Sequence, residues 1–414
     1  MGNDAELAAQ VMERIEALAR ISDETGLLVR TFGSPALRRA NDLVAAWMRE
    51  SGMTTREDAI GNLIGRFPGA DADAKTLLLG SHLDTVRDAG KFDGPLGVLT
   101  ALACVQRLHE QRQALPFAIE VIGFADEEGV RFNSPYLGSR ALAGTFDRQK
   151  LCWKDSKGVA MAEVIRQFGG NPDALDTAKR DPADLLGYVE VHIEQGPALE
   201  AADRSVGTVT GIAGQMRARF AFTGRAGHAG TTPMRFRQDA LSAAAEFALA
   251  IEDDARRHEP LLMTIGMVSV NPHASNVIPR WAGLSLDLRH PSGAELASAW
   301  QRVTGIAERI ASQRNTPVAW EEVQEMTPVT FSNELLSLLR EAARRHQGTV
   351  PELFSGAGHD AATLAELTPV AMLFVRCKEG ISHHPDESVQ TDDVRVAIAV
   401  LNDFLQALAR KHHG

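Results

Sequence analysis

At 414 residues the chain exceeds the size at which a single hydrophobic core usually stops growing, which points to two domains. Its 44% hydrophobic and 23% charged residues are those of an ordinary globular protein and argue against disorder. The formal charge of -11, from 43 basic against 54 acidic residues, sets aside nucleic acid and anionic membranes as default partners. No stretch approaches the roughly 20 uncharged apolar residues of a membrane span. The start, Met-Gly-Asn-Asp-Ala-Glu-Leu, lacks a basic region followed by an apolar one, so a cytoplasmic location is expected. Cys104, Cys152 and Cys377 lie far apart and form no C-x-x-C pair, which suggests neither a disulfide framework nor a thiolate zinc site.

Taken in chain order, residues 5–20 and 36–51 carry apolar positions at three- and four-residue spacing and are expected to be helices. Thr76-Leu-Leu-Leu-Gly-Ser-His and Phe117-Ala-Ile-Glu-Val-Ile-Gly-Phe read as buried strands, with a helix from Leu96 to Gln111 between them. That alternation predicts an α/β domain with a mostly parallel sheet covered by helices, whose functional residues collect at the C-terminal ends of the strands. The pattern changes near Gly211. From there the expected order is strand 217–223, helix 238–257, strand 261–270, strand 283–289, helix 293–313 and strand 318–325, a ferredoxin-like α+β unit inserted into the first domain. The first domain is expected to comprise residues 1–212 and 327–414, and the insertion residues 213–326. After the insertion, 333–347 is expected to be helical, 370–375 a strand and 392–411 a closing helix. No internal repeat or low-complexity tract interrupts this order.

Five segments of the first domain carry candidate chemistry. Gly80-Ser-His-Leu-Asp-Thr-Val places His82 just past a strand, with Asp84 positioned to hold its ring. In the glycine-rich Gly90-Lys-Phe-Asp-Gly-Pro-Leu-Gly, Asp93 either caps the amides of a helix-entry turn or bridges two cations. Phe124-Ala-Asp-Glu-Glu-Gly ends an apolar strand with three consecutive acids, an arrangement that costs free energy unless a cation compensates it. In Tyr188-Val-Glu-Val-His-Ile-Glu-Gln-Gly-Pro, strand alternation puts Glu190, His192 and Glu194 on one face. Gly380-Ile-Ser-His-His-Pro-Asp-Glu offers His383 and His384 in a loop, where either could be a surface residue. Mixed imidazole and carboxylate donors without sulfur suit zinc, manganese, cobalt or nickel. A pair of such ions ~3.5–4 Å apart activates water and polarises an amide carbonyl, with a spare carboxylate as proton shuttle. Adjacent glutamates on a turn would divide those two tasks.

The motifs G-S-H-L-D-T, F-D-G-x-x-G-V, E-E-G-x-R-F, H-I-E-Q-G-P, G-H-A-G-T-T-P-M and S-H-x-P-x-E occur in this order along essentially the whole chain. In them the chain resembles the aminoacylase and carboxypeptidase-like dinuclear metallohydrolases, and within these the hydantoinase/carbamoylase-type amidases. The resemblance implies two divalent ions per subunit, bridged by Asp93, with His82 and His192 on one ion and Glu128 and His383 on the other. It implies Glu127 as general base, and His383 rather than His384 as ligand. It further implies that the inserted domain is a mobile lid that also forms a homodimer, and that His228 reaches the substrate carbonyl from the partner subunit. Arg289 would grip a substrate carboxylate, with Gln195, Gln215, Asn276 and the Gly358 loop completing the pocket. The expected reaction is hydrolysis of the ureido C–N bond of a small acid, allantoate or an N-carbamoyl-L-amino acid, with release of ammonia and carbon dioxide. The stretch Asp84 to Gly94 resembles the allantoate enzymes slightly more. Metal ligands alone do not name the acyl group, so a peptidase or N-acyl-amino-acid deacylase of the same superfamily is the alternative. A non-catalytic metal-binding protein is a remoter one, since it would not need both Glu127 and Glu128.

Overall fold

The computed structural model describes residues 2–412. Contacts divide the chain into two compact units, one running up to Thr210 and resuming at Phe331, the other Gly211–Thr330. No helix among the described residues is long and apolar enough to cross a membrane.

In the first unit the central strands lie in the order Ala118–Phe124, Thr76–His82, Leu185–Ile193 and Val370–Val375, all parallel. Almost every residue of these strands is buried, as a parallel sheet covered on both faces requires. Away from the strand ends that carry the site, the carboxylate of Glu120 is buried against Arg66 at 3.1 Å and Arg180 at 2.5 Å. The flanks supply the antiparallel part of this mostly parallel sheet. Leu63–Phe67 and Thr54–Glu57 on one side, a hairpin closed by a short turn, and Val206–Ile212 on the other run antiparallel to their neighbours. Helices cover the sheet. Gly2–Ala19 buries Leu7, Val11, Ile15 and Leu18, a single stripe at helical spacing. Pro35–Glu50 starts at Pro35 with the hydroxyl of Ser34 accepting the Leu37 N–H.

The second unit has an antiparallel sheet in the order Val268–Asn271, Trp281–His290, Gly214–Thr223, Val318–Met326. Helices Ala240–Arg257 and Gly293–Arg314 cover one face, where Ala218, Phe220 and Phe222 meet Leu284, Leu286, Phe247 and Val303. The other face carries Gln215 opposite Arg289 and Arg217 opposite Asp287. The strand expected over 261–270 is broken into Leu262–Thr264 and Val268–Asn271. Leu262 pairs with Arg289, whereas Val268 pairs with Leu284, so one extra residue is accommodated between the pieces as a bulge. The hydroxyl of Ser285 takes the Met267 N–H there at 2.9 Å.

Candidate metal centre

Parallel register brings the chemistry to one end of the first unit's sheet. His82 pairs with Phe124, two residues before Asp126, while Gly80 pairs with Glu190 and His192 with Phe374. Four separate loops therefore leave the sheet side by side. The turn carrying Asp93 fits among them because residue 94 is glycine. Gly94 has a φ of +83°, and a Cβ there would lie 2.5 Å from Cε1 of His82.

The two strand histidines are oriented by their own neighbourhoods. Nδ1 of His82 lies 3.0 Å from the Asp84 carbonyl, and Nδ1 of His192 lies 2.9 Å from the Ile193 carbonyl. A carbonyl only accepts, so each Nδ1 carries the proton and each Nε2 keeps its lone pair. Both Nε2 atoms face Asp93 Oδ1, at 3.4 Å from His82 and 3.1 Å from His192. Asp93 Oδ2 faces the other way, 3.1 Å from Nε2 of His383, which in turn lies 3.4 Å from Glu128 Oε1. The hydroxyl of Ser382 and the amide of Gln195 donate to the same Oδ2 at 2.7 and 2.9 Å. Asp84 stands at the His82 ring, its Oδ1 3.5 Å from Nδ1, and serves the acidic turn as well. Its carbonyl holds the His82 ring, while its carboxylate accepts the N–H groups of Glu127 and Glu128 at 3.0 and 3.1 Å and shapes their turn.

Ligand-type atoms of His82, Asp93 and His192 lie within 4.8 Å of one another, as do those of Asp93, Glu128 and His383 and those of His82, Glu127 and Glu128. The first two groups share Asp93. Two acceptors facing each other, an imidazole lone pair and a carboxylate oxygen, require a cation between them. For the protein groups alone that cation is a proton: burial opposes it, yet hydrogen bonds to Asp84 and Asp93 hold His82 well above the usual histidine range. The hydrogen bond to Asp93 likewise lifts His383 to about 9. Burial pushes the carboxyl of Glu128 up to about 7 and those of Glu127 and Asp126 well above the ordinary range. Asp93 alone goes down, because hydrogen bonds to His192, His383 and His82 overcome its burial. A nest of buried carboxylates that resist ionisation, interleaved with imidazoles and free of sulfur, fits divalent cations.

Not every candidate converges. Glu194 turns away and accepts the N–H groups of Ala198 and Leu199 at 2.7 and 2.9 Å, capping a short helix. His384 is exposed and accepts the Asp386 N–H. Gln195, expected at the substrate, is engaged with Asp93 and Ser382. Gly358 packs so close to the Tyr136 hydroxyl that a Cβ would stand 1.7 Å from it. Within the second unit, His228 is exposed and its Nδ1 accepts the Gly230 N–H at 3.1 Å, which leaves the proton on Nε2. The Ala229 N–H after it donates to the carbonyl of Asn276. Arg289 forks onto Asp287 at 2.7 and 3.0 Å, and Asp287 also accepts from Gln215 at 2.8 Å and Arg217 at 3.0 Å.

Sequence reasoning placed the Gly356-Ala-Gly-His loop at the pocket without a separate role for His359, whose buried ring packs edge-on against His192 with centroids 4.5 Å apart and forms a further ligand-type group with Glu190 and His192. Ser81, which donates to Glu190 at 2.9 Å, and Ser382 were present in the quoted motifs, and their positions beside His82 and His383 were the available signal. For His359 the signal was its glycine-rich loop.

Fold and donor set together define a metal-dependent hydrolase of the α/β class. Residues 78–407 match the peptidase family M20/M25/M40. The chain is 42% identical over 403 residues to an N-carbamoyl-L-amino acid amidohydrolase of Geobacillus stearothermophilus, covering 97% of this chain and 98% of that one. It is 38% identical to allantoate deiminase 2 of Glycine max, covering 97% of this chain and 90% of that one. The crystal structure of a hydantoinase/carbamoylase family amidase from Burkholderia ambifaria superposes with a TM-score of 0.91 at 34% identity, covering 97% of each chain. The chain belongs to the metal-dependent peptidase family M20/M25/M40, and within it to the hydantoinase/carbamoylase-type amidases.

Proposed function

We propose that this protein is a metal-dependent amidohydrolase that cleaves the ureido C–N bond of a small carboxylate, allantoate or an N-carbamoyl-L-amino acid, releasing ammonia and carbon dioxide. The observation that carries this reading is the two-faced environment of Asp93, with His82 and His192 on one oxygen, His383 on the other and Glu127 spare beside them. Relatives named for both substrate types support the choice of bond. His82, Asp93 and His192 would hold one divalent ion, and Asp93, Glu128 and His383 a second. Zinc, manganese, cobalt and nickel all suit these donors. When bound, the ions supply a Lewis acid for the ureido carbonyl and raise the acidity of a water.

The side chains perform the remaining tasks. Glu127 takes a proton from the attacking water and returns it to the leaving nitrogen. His228, with its proton on Nε2, donates to the carbonyl oxygen as negative charge develops there. Arg289 binds the substrate carboxylate, held in orientation by Asp287. Gln195, Gln215, Asn276 and Gly358 are the further substrate contacts of this reading. The inserted unit, residues 213–326 in this reading, serves as lid and dimerisation domain. Exposed Met234, Phe236, Leu241, Leu249 and Trp281 all lie in it, the apolar surface a homodimer would cover.

The test of function is ammonia release by zinc- or manganese-loaded protein on allantoate, N-carbamoyl-L-amino acids, 3-ureidopropionate and an N-acetyl amino acid in parallel. Release from a ureido acid names the substrate, whereas acetate freed from the last compound alone would make the protein a deacylase. Arg289→Ala is expected to raise KM about 10- to 100-fold, the worth of a charge-assisted hydrogen bond, with a smaller change in kcat. An unchanged KM would take the carboxylate grip away from Arg289. His228→Ala is expected to lower kcat about 10²- to 10³-fold. Co-refolding it with Glu127→Gln should restore turnover if His228 serves the partner's site, because one mixed site then holds both native residues. Absence of rescue would place His228 in its own subunit's site.

A further inference from the structure

Glu387 closes the S-H-x-P-x-E segment, and none of the roles above uses it. It is 3% exposed, and its Oε1 accepts two backbone N–H groups from the other side of the molecule's sequence, Phe92 at 2.7 Å and Asp93 at 3.0 Å. Phe92 and Asp93 are themselves buried, so these N–H groups have no water to turn to. The fit leaves no slack. A Cβ at Gly90 would stand 2.2 Å from the Glu387 carboxyl carbon, so only glycine lets the turn lie against it. The same short loop reaches the Asp93 side chain too, with Ser382 donating to Oδ2 at 2.7 Å and His383 Nε2 at 3.1 Å from it. Asp93 is thus gripped at its backbone by Glu387 and at its carboxylate by Ser382 and His383.

We propose that Glu387 is a positioning residue that locks the Asp93 turn to the His383 loop and thereby sets the spacing of the metal ligands. This rests on the reading of Asp93 and His383 as ligands. Without the carboxylate, the two buried N–H groups must find other acceptors, which the turn can do only by moving Asp93 away from His82, His192 and His383. A side chain that merely stabilised the fold would lower stability equally with and without metal; a positioning residue lowers metal affinity as well.

The experiment is zinc binding to the full chain, followed by competition with a chromophoric chelator and by thermal unfolding with and without zinc. Glu387→Ala is expected to weaken zinc about 10- to 100-fold, the range for outer partners of metal ligands, and to shrink the zinc-induced rise in Tm. Glu387→Gln, whose amide oxygen can still accept both N–H groups, should stay close to wild type. If Glu387→Ala does not fold, Glu387→Asp, one methylene too short to reach, takes its place with the same expectation. Wild-type zinc affinity in the shortened variant, with Tm lowered equally in both states, would overturn the proposal. Asp93→Ala run alongside separates the two readings. Loss of zinc there with retention in the Glu387 variants removes only the clamp, whereas retention in Asp93→Ala removes the ligand assignment itself.

Discussion

Glu127→Gln lowers turnover about 10²- to 10⁴-fold, the contribution of a well-placed general base, while the protein keeps its fold and its metal. The reason lies in how the Glu127–Glu128 turn is built. The Asp84 carboxylate fixes it through both backbone N–H groups, so the side chain can change without moving the turn. Glutamine matches glutamate in shape, so the buried site is not opened, but the amide cannot take a proton from water and hand it on. The measurement is kcat on the ureido substrate together with metal content. Near-normal turnover in a metal-replete variant would assign the base elsewhere, and loss of metal would make Glu127 a ligand.

Asp93→Ala is expected to act on both candidate ion sites at once. Its two oxygens face different partners, His82 and His192 on one side and His383 on the other, so one deletion strips an oxygen donor from both candidate ion sites. Removing both ions forfeits several kcal/mol of transition-state stabilisation, about a thousandfold or more in rate at roughly 1.4 kcal/mol per decade. The variant should contain little zinc or manganese after dialysis, and added metal should not restore turnover. A chelator applied to the wild-type protein should produce the same silence, reversed by metal. Full metal content and activity in Asp93→Ala would end the dinuclear reading.

The order of elements was legible in the sequence wherever burial dictated pattern. Thr76–His82 and Val370–Val375 are continuous apolar runs because both faces of a parallel strand are covered, and the amphipathic spacing of Leu7, Val11, Ile15 and Leu18 follows from one buried stripe on a helix. The break at Ile265–Met267 was not legible, since a bulge is set by cross-strand register and not by the composition of its own strand. The antiparallel flanks escaped for a related reason: pairing partners are chosen across the sheet.

The candidate site divides along the same line. The sequence by itself determined which segments carry imidazole and carboxylate, that sulfur is not among the donors, and that these segments stand at strand ends, because strand periodicity and turn residues are local properties. Only the tertiary structure decided which oxygen of Asp93 faces which histidine, that the Asp84 carbonyl joins its carboxylate at His82, that Glu194 caps a helix, and that Gln195 and Glu387 attend Asp93. Gln195 and Glu387 reach Asp93 from 102 and 294 positions away in the chain. Hydrogen-bond geometry at that separation is set by sheet register and loop packing, which no local pattern encodes.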